Sequence, residues 1–276
     1  MKKHGRRVRG IQYVLLCLIA LVSVCPFYTL VTIGMNPADF SVLKGDAFVP
    51  SLFFENFAQA WDISHLGQAM LNSIVITAGS MALLLFVSAS AAYVIARFPN
   101  RFHRVVFAAF MMGMMIPPIV NTVPLYTLMQ RLHGINTHWA MILLMAANCM
   151  PLTTFLYVGF IRAIPRQFEE AAIIDGCTWF GAFWRVIFPQ LKPVTATAII
   201  MNAVSIWNNY GQAIFFLQKR EVHTIPLAIS IFFQTYGAKW HLMAAATILG
   251  MIPALVIFLL FQRSFIKGLS AGGIKG

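Results

Sequence analysis

Glu169, Glu170 and Asp175 are three of the chain's eight acidic residues, and they fall together in a polar stretch, residues 162–193, that interrupts an otherwise apolar sequence. No nucleophile or metal-ligand pattern accompanies them. His-Glu-x-x-His, Gly-x-Ser-x-Gly and Asp-rich metal motifs are absent from the sequence, and so is a Gly-rich phosphate loop with its lysine. Cys17, Cys25, Cys149 and Cys177 show no paired spacing, so neither a metal site nor a disulfide framework is indicated. The chemistry that remains is non-covalent, with carboxylates presented to the hydrogen-bond donors of a partner.

Local sequence gives the acidic stretch a shape. Pro165 suits the first turn of a helix, Glu169 and Glu170 favour its positive N-terminal end, and Gly176 suits a left-handed stop. Ala171 and Ala172 then leave a smooth face that a partner can approach closely. Phe180, Phe183, Trp184 and Ile187 recur at helical spacing and predict a second short helix, which Pro189 ends. Two readings follow: a knob that enters a partner's socket, or an amphipathic loop resting on the membrane surface.

A second set of polar residues lies within apolar sequence. Asn202, Ser205, Trp207, Asn208 and Asn209 share one apolar segment, Asn121 follows Pro117-Pro118, and Asn148 precedes Pro151. An amide in hydrocarbon needs a partner, so each faces the bundle interior or a cavity. Interhelical amide bonds and a surface for a hydroxyl-rich solute are both compatible with the pattern.

The elements that must hold these residues are membrane spans. Of 276 residues 59% are hydrophobic and 10% charged, and the mean hydropathy is +0.77; a soluble domain carries about 25% charged residues. Six segments reach the length a bilayer asks of a helix: 11–33, 71–96, 105–129, 139–161, 194–217 and 242–262. The first follows a basic N-terminus and is read as a retained span, being too long for a signal peptide. With six spans both termini share one side. The segments on that side carry 15 of the 20 Lys and Arg, which makes it the cytoplasmic one by the positive-inside rule. The net charge of +12 follows from topology and calls for no nucleic-acid partner. Asp, Glu, Lys and Arg are absent from the predicted spans, so energy must enter through another polypeptide.

Glu170-Ala171-Ala172, Asp175-Gly176, Val186 and Phe188-Pro189 resemble the EAA loop of ABC importer permeases. The likeness extends to Pro124-Leu-Tyr-Thr-Leu-Met, Gly134-Ile-Asn-Thr, Gly159-Phe-Ile-Arg-Ala-Ile-Pro165, Leu191-Lys-Pro193, Trp207-Asn208 and the tail from Lys267, and is similar to the MalG-type carbohydrate permeases. It departs at Asn209, where the family often has an acidic residue.

The resemblance implies an all-α integral membrane protein of the type I ABC importer fold in the bacterial or archaeal inner membrane. Residues 1–66 form the tail, first span and outer loop, 67–262 the permease core, and 263–276 a cytoplasmic tail that can touch the ATPase. It also implies import of a sugar or oligosaccharide, with a polyol, glycerol phosphate or amino acid as the alternative; outside the resemblance, a secondary transporter is the competing reading. The expected partners are a second, MalF-like permease, two ATPase subunits that bind ATP and Mg, an extracytoplasmic solute-binding protein and membrane lipid. No cofactor is expected in this chain. Glu169, Glu170, Ala171, Ala172, Asp175, Gly176 and Pro189 are the expected coupling residues. Asn121, Asn148, Asn202, Trp207, Asn208 and Asn209 are the expected pathway residues.

Overall fold

The computed structural model describes residues 2–38, 49–117, 119–234 and 239–273, and among them the regular structure is helical throughout. Residues 1–67 with 228–252 form one compact unit, and residues 68–227 with 253–276 form another.

In the first unit, α1 (Lys2–Gly34) presents its apolar side chains from Tyr13 to Tyr28 outward. Its C-terminal end approaches the start of α13 (Trp240–Gly273) so closely that a Cβ on Gly34 would lie 3.2 Å from the Ala245 backbone nitrogen. Between them α2 (Glu55–Ile63) is fixed by Asn56, whose amide donates to the carbonyls of Gly34 at 3.0 Å and Asn36 at 2.7 Å. Ala60, Phe232, Leu242, Ala245 and Ala246 make up the core of this unit. Asp39, Lys44 and Asp46 of the predicted outer loop lie outside the described residues.

The second unit is built on α3 (Leu66–Arg97) and α6 (His138–Ala163). Gly79 permits their close approach, because a Cβ there would meet Ile142 Cδ1 at 2.7 Å. Ser80 donates across the same contact to the Ile142 carbonyl at 3.3 Å. α6 also holds α10 (Lys192–Trp207), through Tyr157 to Thr195 at 2.9 Å and Asn202 to Thr153 at 3.0 Å. In a bilayer, where lipid tails are as apolar as leucine, such interhelical bonds contribute roughly 0.6–2 kcal/mol each. One core cluster joins the first halves of α3 and α6, and another, including Tyr93, Tyr157, Phe183 and Ile187, lies toward their C-terminal ends.

Two of the predicted spans are interrupted. The stretch 105–129 divides into α4 (Arg101–Gly113), N-capped by Asn100, and α5 (Thr122–Arg131), with irregular backbone around Pro117. Pro117 and Pro124 both lack the backbone donor that an uninterrupted helix would use, and Pro124 fits the first turn of α5. The stretch 194–217 stops at Trp207 and resumes as α11 (Ala213–Phe216). Asn209 Oδ1 accepts from the backbone nitrogens of Gln212 and Ala213, each at 3.3 Å, and so caps the new helix.

Gln12–Gly34, Leu66–Arg97 and His138–Ala163 are each long and apolar enough to cross a membrane, and Trp240–Val256 is a shorter apolar stretch of α13. Residues 218–234 contain a 3₁₀ turn at Arg220–Val222 and then α12 (Ile225–Gln234).

Asn72 joins this turn to the bundle. Its amide donates to the carbonyls of Glu221 and His223, both at 2.9 Å, while its Oδ1 lies 3.0 Å from His138 Nε2. Replacing Asn72 by Leu strands two carbonyls, at about 1–3 kcal/mol for an unsatisfied group. The expected result is a thermal midpoint several degrees lower in detergent, with faster proteolysis within residues 218–224.

Candidate functional site

The acidic stretch begins where α6 ends. Ile164, preceding Pro165, is extended with ψ 125°, as the proline ring demands of its neighbour. α7 (Gln167–Ile174) follows and closes in a Schellman turn: Cys177 N donates to Ala172 O at 2.9 Å and Gly176 N to Ile173 O at 3.0 Å, with Gly176 at φ +87°. The stop is as the local sequence predicts, whereas Pro165 lies just before the helix and outside its first turn.

The next helix differs from expectation. α8 (Trp179–Ala182), capped by Thr178 Oγ1 accepting from Gly181 N at 3.1 Å, widens into a π-helical turn at Phe183–Ile187. It then continues through α9 (Phe188–Gln190), with Pro189 in its first turn. Pro189 therefore does not end the helix as expected. It sits just past the wider turn, which lets Phe188 N donate to Phe183 O, and the helix runs on to Gln190.

Neighbouring residues of α7 point in opposite directions. Glu170, Ala171, Asp175 and Gly176 are exposed, whereas Glu169 and Ala172 are buried. The smooth face expected of Ala171 and Ala172 together is thus divided, since successive helical residues are about 100° apart. Ala172 packs inward, and the outward face is completed by large apolar side chains: Phe168, Ile174, Trp179 and Phe180, with Ile174 85% exposed.

Glu169 reaches Arg97 at the end of α3, with Nε to Oε1 at 2.6 Å and both side chains about 5% exposed or less. Arg97 Nη2 also donates to Ile164 O at 2.9 Å, and Arg166 Nη2 donates to Arg97 O at 3.2 Å. A cleft of about 140 Å³ opens beside the pair, lined by Arg97, Phe98, Arg166, Glu169, Glu170 and Trp179. Aromatic contacts continue the attachment: Phe98 meets Trp179 edge-on at 5.4 Å, Tyr93 lies 4.7 Å from Phe183, and Phe86 stacks on Trp184 at 5.4 Å. Arg97 was not among the sequence candidates; its sole signal was its place in the basic inner count.

The expected pathway residues separate into two kinds. Asn202 and Trp207 are buried, and the Asn202 amide is committed to Thr153 and to Ala198 O at 2.8 Å. Asn121, Asn148 and Asn208 are exposed, and Asn209 is half-buried as the α11 cap. Asn148 donates to Gln212 Oε1 at 2.7 Å. Sequence reasoning passed over Gln212, a buried amide that brings Asn148 to the break after α10.

A family model described as a binding-protein-dependent transport system inner membrane component matches residues 85–271. The melibiose/raffinose/stachyose import permease protein MelC of Bacillus subtilis (strain 168) is 41% identical over 268 residues, 95% of this chain and 95% of MelC. The arabinooligosaccharides transport system permease protein AraQ of the same organism is 31% identical over 205 residues, 74% of this chain and 72% of AraQ. A chain of a bacterial ABC transporter involved in import of the acidic polysaccharide alginate shares the fold, with a TM-score of 0.80 at 20% identity, covering 94% of this chain and 97% of that one.

The turn after α7 gives a test of backbone geometry alone, because a Cβ on Gly176 would meet nothing within 4 Å. Gly176→Val forces a β-branched residue into the left-handed region, at about 1–3 kcal/mol, whereas Gly176→Asn is tolerated. Limited proteolysis across residues 174–180 is expected to accelerate for the valine variant and to match the parent for asparagine.

Proposed function

The chain belongs to the family of binding-protein-dependent transport system inner membrane components, and from that membership we propose that it is the permease subunit of an ABC importer, forming half of the pathway for a sugar or oligosaccharide. The outward face of α7 supports this reading most directly. Two carboxylates, a small residue and a ring of exposed apolar side chains stand on a loop anchored to its own bundle by a buried ion pair. Such a surface suits a protein cleft better than water, because large exposed apolar side chains grouped together mark interaction sites.

On this reading one of two ATPase subunits, which bind ATP and Mg, receives Glu170, Ala171, Asp175 and Gly176. Glu169 and Ala172 hold the loop to the permease, and Pro189 lies in the helix that returns to α10. A second, MalF-like permease supplies the other half of the pathway, and an extracytoplasmic binding protein delivers solute. Six spans, both termini in the cytoplasm and the core at 67–262 complete the assignment. Closure of the ATPase pair carries the loop with it, and the bundle alternates between outward and inward openings as packed elements shift against one another.

Asn121, Asn148, Asn208 and Asn209 form the solute-facing set, with Asn202 and Trp207 as the packed wall behind them. Neutral amides suit hydroxyl-rich solutes, and the likeness to MelC makes melibiose, raffinose and stachyose the first sugars to try.

The assembled complex, with its cognate binding protein, tests both halves of the proposal. Glu170→Lys reverses a charge at the docking face, and loss of a charge-assisted bond of roughly 1.5–3 kcal/mol is expected to lower solute-stimulated ATP hydrolysis about tenfold or more. Unchanged stimulation would count against the docking assignment. Across a panel of the three sugars, an arabino-oligosaccharide, glycerol phosphate and methionine, stimulation is expected from a sugar; stimulation by methionine alone would overturn the carbohydrate reading.

A further inference from the structure

We propose that Arg97 is a positioning residue: its guanidinium, paired with Glu169, is the rigid joint that transmits movement of α7 to the ends of α3 and α6. The proposal rests on the transport reading above and gives the anchoring pair a role in transmission that the reading leaves unstated.

The joint is defined by its connections. Arg97 ends α3, a helix of 32 residues. One side of its planar fork reaches the Glu169 carboxylate at 2.6 Å, and another nitrogen reaches the carbonyl of Ile164 at 2.9 Å, the residue that terminates α6. Arg166, which precedes α7, closes back on the Arg97 carbonyl at 3.2 Å. Three helix ends therefore meet at one side chain. A lysine offers a point charge and lacks this fixed fork.

Burial keeps the joint from slipping. Arg97 and Glu169 have side chains 5% and 3% exposed, so neither exchanges its partner for water without uncovering an uncompensated charge. Removing one partner of a buried pair is far more damaging than replacing both by apolar groups. Stability alone gives little reason for a charged pair at this position. Orientation gives a better one, because an apolar contact permits sliding and a forked, two-acceptor contact does not. Glu170, the next residue, faces outward. One turn of helix thus carries a carboxylate for the partner and a carboxylate for the bundle, and force applied at the first is passed inward by the second.

A releasable tether separates mechanical from merely structural roles. In an assembled complex whose permease has Cys17, Cys25, Cys149 and Cys177 replaced by serine, Arg97→Cys and Glu169→Cys are introduced together. They are bridged with a short bis-methanethiosulfonate and released with dithiothreitol. Uptake per ATP hydrolysed is measured in proteoliposomes, using whichever of melibiose, raffinose or stachyose stimulates the parent complex.

The released variant is expected to retain its ATPase subunits and hydrolyse ATP while uptake per ATP falls about tenfold, and bridging is expected to restore it to within about threefold of the parent. Arg97→Lys, which keeps the charge and loses the fork, is expected to lie between them. Parental uptake per ATP in the released variant or in Arg97→Lys overturns the joint. So does a bridged complex that hydrolyses ATP without uptake, since the pair would then have to part in each cycle. If instead the parent shows no sugar-stimulated hydrolysis, or Glu170→Lys leaves stimulation intact, the transport reading fails before the joint is reached.

Discussion

A backbone placed in hydrocarbon must satisfy its own hydrogen bonds, and this constraint governs the layout of the chain. α3 and α6 obey it in the simplest way, as long helices whose packed faces also carry the two core clusters of their unit. Elsewhere the helices break, and side chains replace the missing bonds. Asn209 caps α11 through its Oδ1, and Asn136 Oδ1 accepts from the backbone nitrogens of Gln218 and Lys219 at 2.6 and 2.9 Å. Asn136 and Asn209 thus stand where an irregular backbone needs them, while Ser80, Thr153 and Asn202 bond between helices.

The polar loop is held in the same manner, with a charged pair added. Its backbone closes on Gly176 and opens on Thr178, both local devices, but local devices alone would leave α7 free to swing. The Arg97–Glu169 pair and the aromatic contacts from Phe86, Tyr93 and Phe98 fix its direction against α3. The π turn contributes to the same end. By widening the helix before Pro189 it keeps Phe183 and Ile187 in the core while Phe180 remains exposed. Anchoring and presentation are thus divided between adjacent residues of one short segment.

This division explains what the sequence disclosed and what it withheld. Hydropathy located 11–33, 71–96 and 139–161, which are continuous helices that accommodate Pro26 and Pro151 without a break. Pro165 and Gly176 marked the ends of α7 because their effect is confined to adjacent peptide units. The partner of Glu169 was not legible, since it lies 72 positions away and no periodicity links the two. Pro189 misled because a proline need not end a helix: Pro26, Pro151 and Pro253 also lie inside helices, and before Pro189 the turn is already widened. The break after Trp207 was hidden for a related reason: the Asn-rich sequence fits either interhelical bonding or capping, and the choice depends on Gln212 and Ala213 being within reach.

The distribution of amides bears on what such a protein can pass. Asn72, Asn136 and Asn202 spend their hydrogen bonds on the chain itself, so they have little left for a solute. Asn148 and Asn208 are exposed, and on the proposed reading a solute meets neutral amides with no fixed charge among them. Neutral contacts of this kind bind weakly and release readily, which suits a passage that must not retain its cargo. Weak contacts also cannot drive accumulation. On the same reading the work comes from a conformational cycle imposed at the other end of α3 and α6, and the buried pair at Arg97 ties that end to the loop.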